Sequence, residues 1–255
     1  MRSILLIIAG LALFSSCQSE VEVEQLNAKG GKKYGGEFRF MSSEEINSLA
    51  SVSSADLYSS RVISQIYDPL LDFDLSTLEL KPSIAEDFSV NDDATVYTFK
   101  IKKGILFHKN DCFGGKTHEL NAEDVKFTLE MACSNLEINR IGYLLVNRIK
   151  GAKSFFKKSS KEIPKEGVSG IKVINSNEIQ ITLTQSFSQF EKLLSHSSLG
   201  IFPKEAWEKY GLKMGDYPVG TGPFELEAKS DTQIVLKRNN HYWKKDEFDN
   251  QLPFL

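Results

Sequence analysis

Four histidines, three cysteines and a few glycine clusters are the residues of this 255-residue chain that could carry chemistry. Gly115-Lys116-Thr117 has the closing triplet of a phosphate-binding loop. That loop needs a glycine five residues before its last one, where Asn110 stands, and a helix directly after it. Gly220-Thr221-Gly222 is followed by Pro223 and a strand pattern, whereas a dinucleotide fingerprint needs a helix N-terminus facing the pyrophosphate. His108, Cys112 and His118 offer ligand atoms in one stretch, but their spacing matches no zinc pattern. His196 lies among serines without the strand-turn-helix serine elbow of hydrolases. Glu44-Glu45 and Glu123-Asp124 sit where helices begin, the position a helix dipole favours. No catalytic residue, metal or cofactor is assigned.

The cysteines speak to compartment. Arg2 precedes an apolar run, Ile4 to Phe14, too short for the ~20 residues a spanning helix needs. Ser15-Ser16 supply small residues and Cys17 follows, so residues 1–16 read as an export signal. Leu13-Phe14-Ser15-Ser16-Cys17 resembles a lipobox, which predicts lipidation of Cys17 and anchoring in the cell envelope, facing the periplasm or exterior. The alternative is a plain secretory signal with Cys17 incidental. Residues 17–33 are polar and read as a flexible tether. Cys112 and Cys133 remain, and an even remainder in an exported chain suggests a disulfide worth ~3 kcal/mol, with two free buried thiols as the alternative. A net charge of −3 gives no basic excess for nucleic acid.

These residues need elements to position them. Gly36 to Met41 alternates and predicts a short first strand. Apolar residues at Leu57, Val62, Ile66 and Leu70 predict a helix, ended by Asp68-Pro69. Thr95 to Ile101 alternates strictly and predicts a strand. Asn121 can cap a helix over about Ala122 to Cys133. Ile171 to Ile174 and Glu178 to Thr184 predict a hairpin, Phe187 to Leu194 a short helix, and Pro203 opens another that Gly211 ends. Phe224 to Ala228 and Thr232 to Lys237 predict a last hairpin, after which Tyr242-Trp243 is expected to pack beneath it. The fold class is mixed α/β.

Six segments in this order complete the reading: QIYDPLL (Gln65 to Leu71), LKPSIAEDF (Leu80 to Phe88), YTFKIKKGILFH (Tyr97 to His108), LNAEDVKFTLE (Leu120 to Glu130), IQITL (Ile179 to Leu183), and VGTGPFEL with IVLKRNNHYW. Together they resemble the bacterial extracellular solute-binding proteins of family 5, which serve ATP-binding-cassette importers of oligopeptides, dipeptides or nickel. The resemblance implies a type II periplasmic-binding-protein-like fold, with a discontinuous first lobe over 34–60 and 174–255. It implies an inserted α/β domain over 61–173, with the second lobe absent from this chain. It implies a non-enzymatic binding protein whose partners are a small peptide or similar solute, permease subunits and the membrane. Ala55, Asp56 and Leu57, just before the first helix, are the implied ligand contacts. A chain that stops where relatives enter the second lobe is expected to be an N-terminal fragment that holds peptide poorly alone. The alternatives are an exported lipoprotein enzyme such as a hydrolase, or a surface lipoprotein that contacts a glycan or partner.

Overall fold

The structure, a computed structural model, describes residues 26–255. The signal, Cys17 and the first part of the tether lie outside the described residues. In chain order the elements are α1 (Leu57–Ile66), β1 (Leu71–Phe73), β2 (Leu80–Pro82), β3 (Ala85–Val90), β4 (Val96–Ile101), α2 (Ala122–Ala132), α3 (Ala152–Lys158), β5 (Ile171–Asn175), β6 (Glu178–Thr182), α4 (Phe190–Leu193), α5 (Lys204–Tyr210), β7 (Phe224–Lys229) and β8 (Ile234–Arg238).

Alternation dictates the main sheet. Tyr97, Phe99 and Ile101 are buried on one side of β4, and Ile179 and Ile181 on one side of β6. The antiparallel register puts Tyr97 opposite Ile181 and Phe99 opposite Ile179, so apolar rows line one face of a four-stranded sheet ordered β3-β4-β6-β5. Helix α2 packs on this sheet against β5 and β6. Its start is a capping box: Asn121 Oδ1 accepts from Glu123 N–H at 2.8 Å, and Asp124 Oδ2 from Asn121 N–H at 2.9 Å. Two further hairpins, β1-β2 and β7-β8, form separate two-stranded sheets.

Residues 39–253 form one compact unit, and 26–38 with Phe254 and Leu255 belong to another. In the second, the 26–33 part of the expected tether closes a tight turn: Tyr34 N–H donates to Leu26 O at 2.8 Å, and the Tyr34 and Phe254 rings lie 5.3 Å apart.

Three expectations change. Gly36 to Met41 carries no strand. The main sheet runs across the expected 173/174 boundary, because β6 lies between β4 and β5; a division there would cut the β5-β6 hairpin. Cys112 and Cys133 are free thiols. Burial and the nearby Glu205 carboxylate push Cys112 up to about 11, and Glu205 also acts on Asp124 at the start of α2. Cys133 caps the other end of α2, roughly 14 Å along the axis at the rise of an α-helix. A disulfide needs Cα atoms within about 7 Å. Cys133 is fully buried, which raises its pKa further.

Candidate functional site

The loop leading into α1 is built from serines that point inward. Ser51 Oγ donates to Gly200 O at 2.9 Å, and Ser198 Oγ to Ser54 O at 2.9 Å. Ser53 Oγ donates to Ala50 O at 2.7 Å. Ser54 Oγ and Ser60 Oγ lie 2.9 Å apart. Arg140 N–H donates to Val52 O, and Leu49 N–H to Gly215 O. Small hydroxyl side chains let the loop lie close to the body while its backbone groups stay paired. Gly200, whose carbonyl takes the Ser51 bond, has no room for a side chain, since a Cβ there would stand 2.4 Å from Tyr67 Cβ.

Pinned from beneath, the loop presents its outer side to solvent. Ala55, Asp56 and Leu57 are all exposed. Asp56 caps α1, accepting from Ser59 N–H at 2.8 Å. Partial burial opposes ionisation, but the Ser59 bonds and neighbouring amides outweigh it and hold the carboxyl below its usual range. Asp56 also lines an open cleft of about 380 Å³ with Asn47, Ser48, Ser53, Ser59 and Arg140. Ala55 and Leu57 stand beside this cleft in sequence without lining it. Helix geometry leaves the Leu57 and Tyr58 amides without an acceptor inside α1. The cleft also carries Glu137, so the site can offer the Asp56 and Glu137 carboxylates and the Arg140 guanidinium to a polar solute. Sequence reasoning reached Asp56 but missed Arg140, which folding brings to the loop from beyond α2.

The other end of α1 is closed. Asp68, just past the helix, is buried and accepts from Thr221 Oγ1 at 3.0 Å, Tyr242 OH at 3.1 Å and Trp243 Nε1 at 3.0 Å. Lys244 Nζ lies 3.0 Å from the same carboxylate. The Gly220-Thr221-Gly222 turn lies directly on the helix end, where Gly222 N–H donates to Ile66 O at 2.9 Å. A Cβ on Gly220 would stand 2.0 Å from Ile66 O. His108 is buried behind the turn, its Nε2 3.0 Å from Gly222 O, and burial lowers its pKa. His118 stacks on Phe113. No group of three or more possible metal ligands occurs among the described residues.

Two rival sites are weaker. Ser198 Oγ lies 2.8 Å from His196 Nδ1, the nearest approach to a nucleophile and base, but Ser198 is fully buried and its hydroxyl donates to Ser54 O. A larger open groove of about 900 Å³ runs past Lys100 to Leu106 and Asn240 to Trp243, and contains none of the expected contacts. Three of its four lysines are engaged, Lys100 with Glu86 at 2.7 Å, Lys245 with Asp249 at 2.7 Å, and Lys102 on the Ser83 and Ala85 carbonyls; the fourth, Lys103, is exposed.

The profile of the bacterial extracellular solute-binding proteins, family 5 (middle region), matches residues 79–251, and the chain belongs to that family. Its fold is that of the type II periplasmic binding proteins, as expected from the resemblance. Among curated relatives, the glutathione-binding protein GsiB of Escherichia coli is 30% identical over 190 residues, which is 74% of this chain and 32% of that protein. The chain thus spans about a third of the length of this relative. Among solved structures, the oligopeptide-binding protein OppAIV of Borrelia burgdorferi superposes with a TM-score of 0.64 at 25% identity, covering 78% of this chain and 38% of that one. DppA of Helicobacter pylori, in complex with the peptide STSA, gives 0.61 at 25% identity, covering 80% and 39%. No helix of the described residues is long and apolar enough to cross a membrane.

Proposed function

We propose that this chain is the solute-binding part of an ATP-binding-cassette importer that captures peptides or glutathione-like solutes, with Cys17 lipidated to hold it at the cell envelope. It delivers solute to membrane permease subunits and performs no reaction. The inserted domain starts past α1 and runs to about residue 183, and the flanking segments form the first lobe. The observation that carries the reading is the α1 loop, whose buried serines fix it from beneath while Ala55, Asp56 and Leu57 face outward beside a polar cleft. A shape held by the scaffold binds without an ordering cost. The buried, carbonyl-bonded Ser198 argues against the hydrolase alternative.

Titration with glutathione and short peptides, followed by backbone amide chemical shifts, tests this reading even at low affinity. Shifts should cluster over residues 50–60 and at Arg140, with none on adding a sugar control. Shifts confined elsewhere, or absent for every peptide, would refute it. For the anchor, mass analysis of the mature N-terminus should show Cys17 carrying a diacylglycerol thioether; an unmodified Cys17 thiol would contradict lipidation.

A further inference from the structure

One stretch carries a charge that the rest of the chain does not. Arg148 to Glu166 holds seven basic residues and two acidic ones, a net +5 in a chain of −3, so the remainder carries −8. Six of the seven are the exposed lysines Lys150, Lys153, Lys157, Lys158, Lys161 and Lys165. Folding gathers them into one patch. Lys153 and Lys157 stand four apart on α3, on one face of the helix. The chain after α3 then runs back beside it: Lys158 pairs with Glu166 at 3.0 Å at one end, and Gly170 N–H donates to Lys150 O at 2.9 Å at the other. Among the described residues, that pair with Glu166 is the only ion pair any of the six lysines makes. Tyr143 stands at the edge of the patch. It is 65% exposed and follows Gly142, where a Cβ would stand 3.5 Å from the Phe156 ring of α3.

The residue types select the partner. Arg148, the one arginine of the stretch, is half-buried and gives Nη1 to the Tyr143 and Leu144 carbonyls at 2.9 and 2.8 Å. Directional recognition of nucleic-acid phosphates favours the flat arginine fork, and none is on offer. Protein interfaces are depleted in lysine and centre on apolar side chains, yet no large apolar residue between Tyr143 and Ile174 is exposed. Lysine is a strongly hydrated point charge on a flexible stem, which acts through a diffuse field. Such basic runs are attracted to anionic headgroups, and a tyrosine settles at headgroup depth. We propose that α3 and the loop behind it form a docking face for an anionic lipid surface, with the lysines on the headgroups and Tyr143 at their level. The proposal goes beyond solute capture and needs no lipid on Cys17.

The test sediments the full chain with vesicles of phosphatidylcholine, either alone or with about one third phosphatidylglycerol. A lipid anchor would enter both alike, so the difference between them reads the patch. Binding to the anionic vesicles should be about ten-fold tighter or more at low salt. The preference should vanish at ~1 M salt, where the Debye length is ~3 Å. The triple variant Lys153→Glu, Lys157→Glu, Lys161→Glu should lose the preference and melt with the parent, since none of these three side chains is bonded among the described residues. Tyr143→Ser should weaken anionic binding about three-fold. An equal change of charge elsewhere, Lys103→Glu, Lys109→Glu, Lys213→Glu, should keep most of the preference. Equal binding of the parent to both vesicles, or equal loss in the two triple variants, overturns the docking face. Tighter capture of duplex DNA than of anionic vesicles at the same salt overturns the choice of lipid.

Discussion

The two ends of α1 obey opposite rules. At its N-terminus the capping carboxylate of Asp56 is exposed, and the hydroxyls around it are turned inward to fix the loop. At its C-terminus the carboxylate of Asp68 is buried and ringed by Thr221, Tyr242, Trp243 and Lys244, with a glycine turn pressed onto the last carbonyls. One end leaves polar capacity facing solvent and the other spends all of it on the fold. The difference teaches where a ligand can act: a closed network has nothing left to give, while a pinned loop with an open outer face does.

Breaking the closed end should have the largest effect. Asp68→Ala removes one acceptor from four donors and leaves the Lys244 ammonium beside buried groups, so stability should fall by ~3–5 kcal/mol in urea denaturation. Gly220→Ala comes next. Its Cβ would meet a backbone carbonyl that cannot swing aside, and a loss of about 2–3 kcal/mol is expected from the same measurement. A loss under about 0.5 kcal/mol for either would show that the closed end is looser than described.

A second pair of caps sharpens the contrast by pH. Burial raises Asp124 at the start of α2 to about 6, whereas Asp56 lies below its usual range. A raised carboxyl favours the protonated form in the folded state, so its contribution is fully present below the unfolded value and is lost as pH rises through 6. Stability should therefore gain about 1 kcal/mol between pH 7 and pH 5 from this group. Asp124→Asn should remove that gain in parallel melts; an unchanged pH profile would place the titration elsewhere. The smallest effect belongs to the open end. Asp56→Ser keeps a capping oxygen, so stability should move by less than ~0.5 kcal/mol, while solute affinity falls measurably. Unchanged affinity would remove Asp56 from the site.

The sequence showed most of the scaffold. Tyr97, Phe99 and Ile101 announced β4, Asn121 announced the start of α2, and Pro203 and Gly211 bracketed α5, because each signal is local. Tyr242 is buried and Trp243 bonds to Asp68, in keeping with the packing role read for them. Asp68 itself read only as the end of a helix, since its partners lie more than 150 positions away and leave no periodic trace. The cysteines failed for a geometric reason, because parity says nothing about the length of the helix between them. Gly36 to Met41 alternates like a strand, but alternation alone does not make one. Asp56 came from family resemblance. Arg140 was hidden because only tertiary folding brings it to the loop.

Amide hydrogen exchange with and without peptide measures both ends of α1 in one experiment. Without peptide, amides of Ile63 to Tyr67 should exchange near the rate of global unfolding, and those before Ser59 much faster. Added peptide or glutathione should slow exchange over residues 50–60 and leave 63–68 unchanged. Protection appearing at the Asp68 end, or at neither end, would contradict the assignment of the α1 loop as the solute contact.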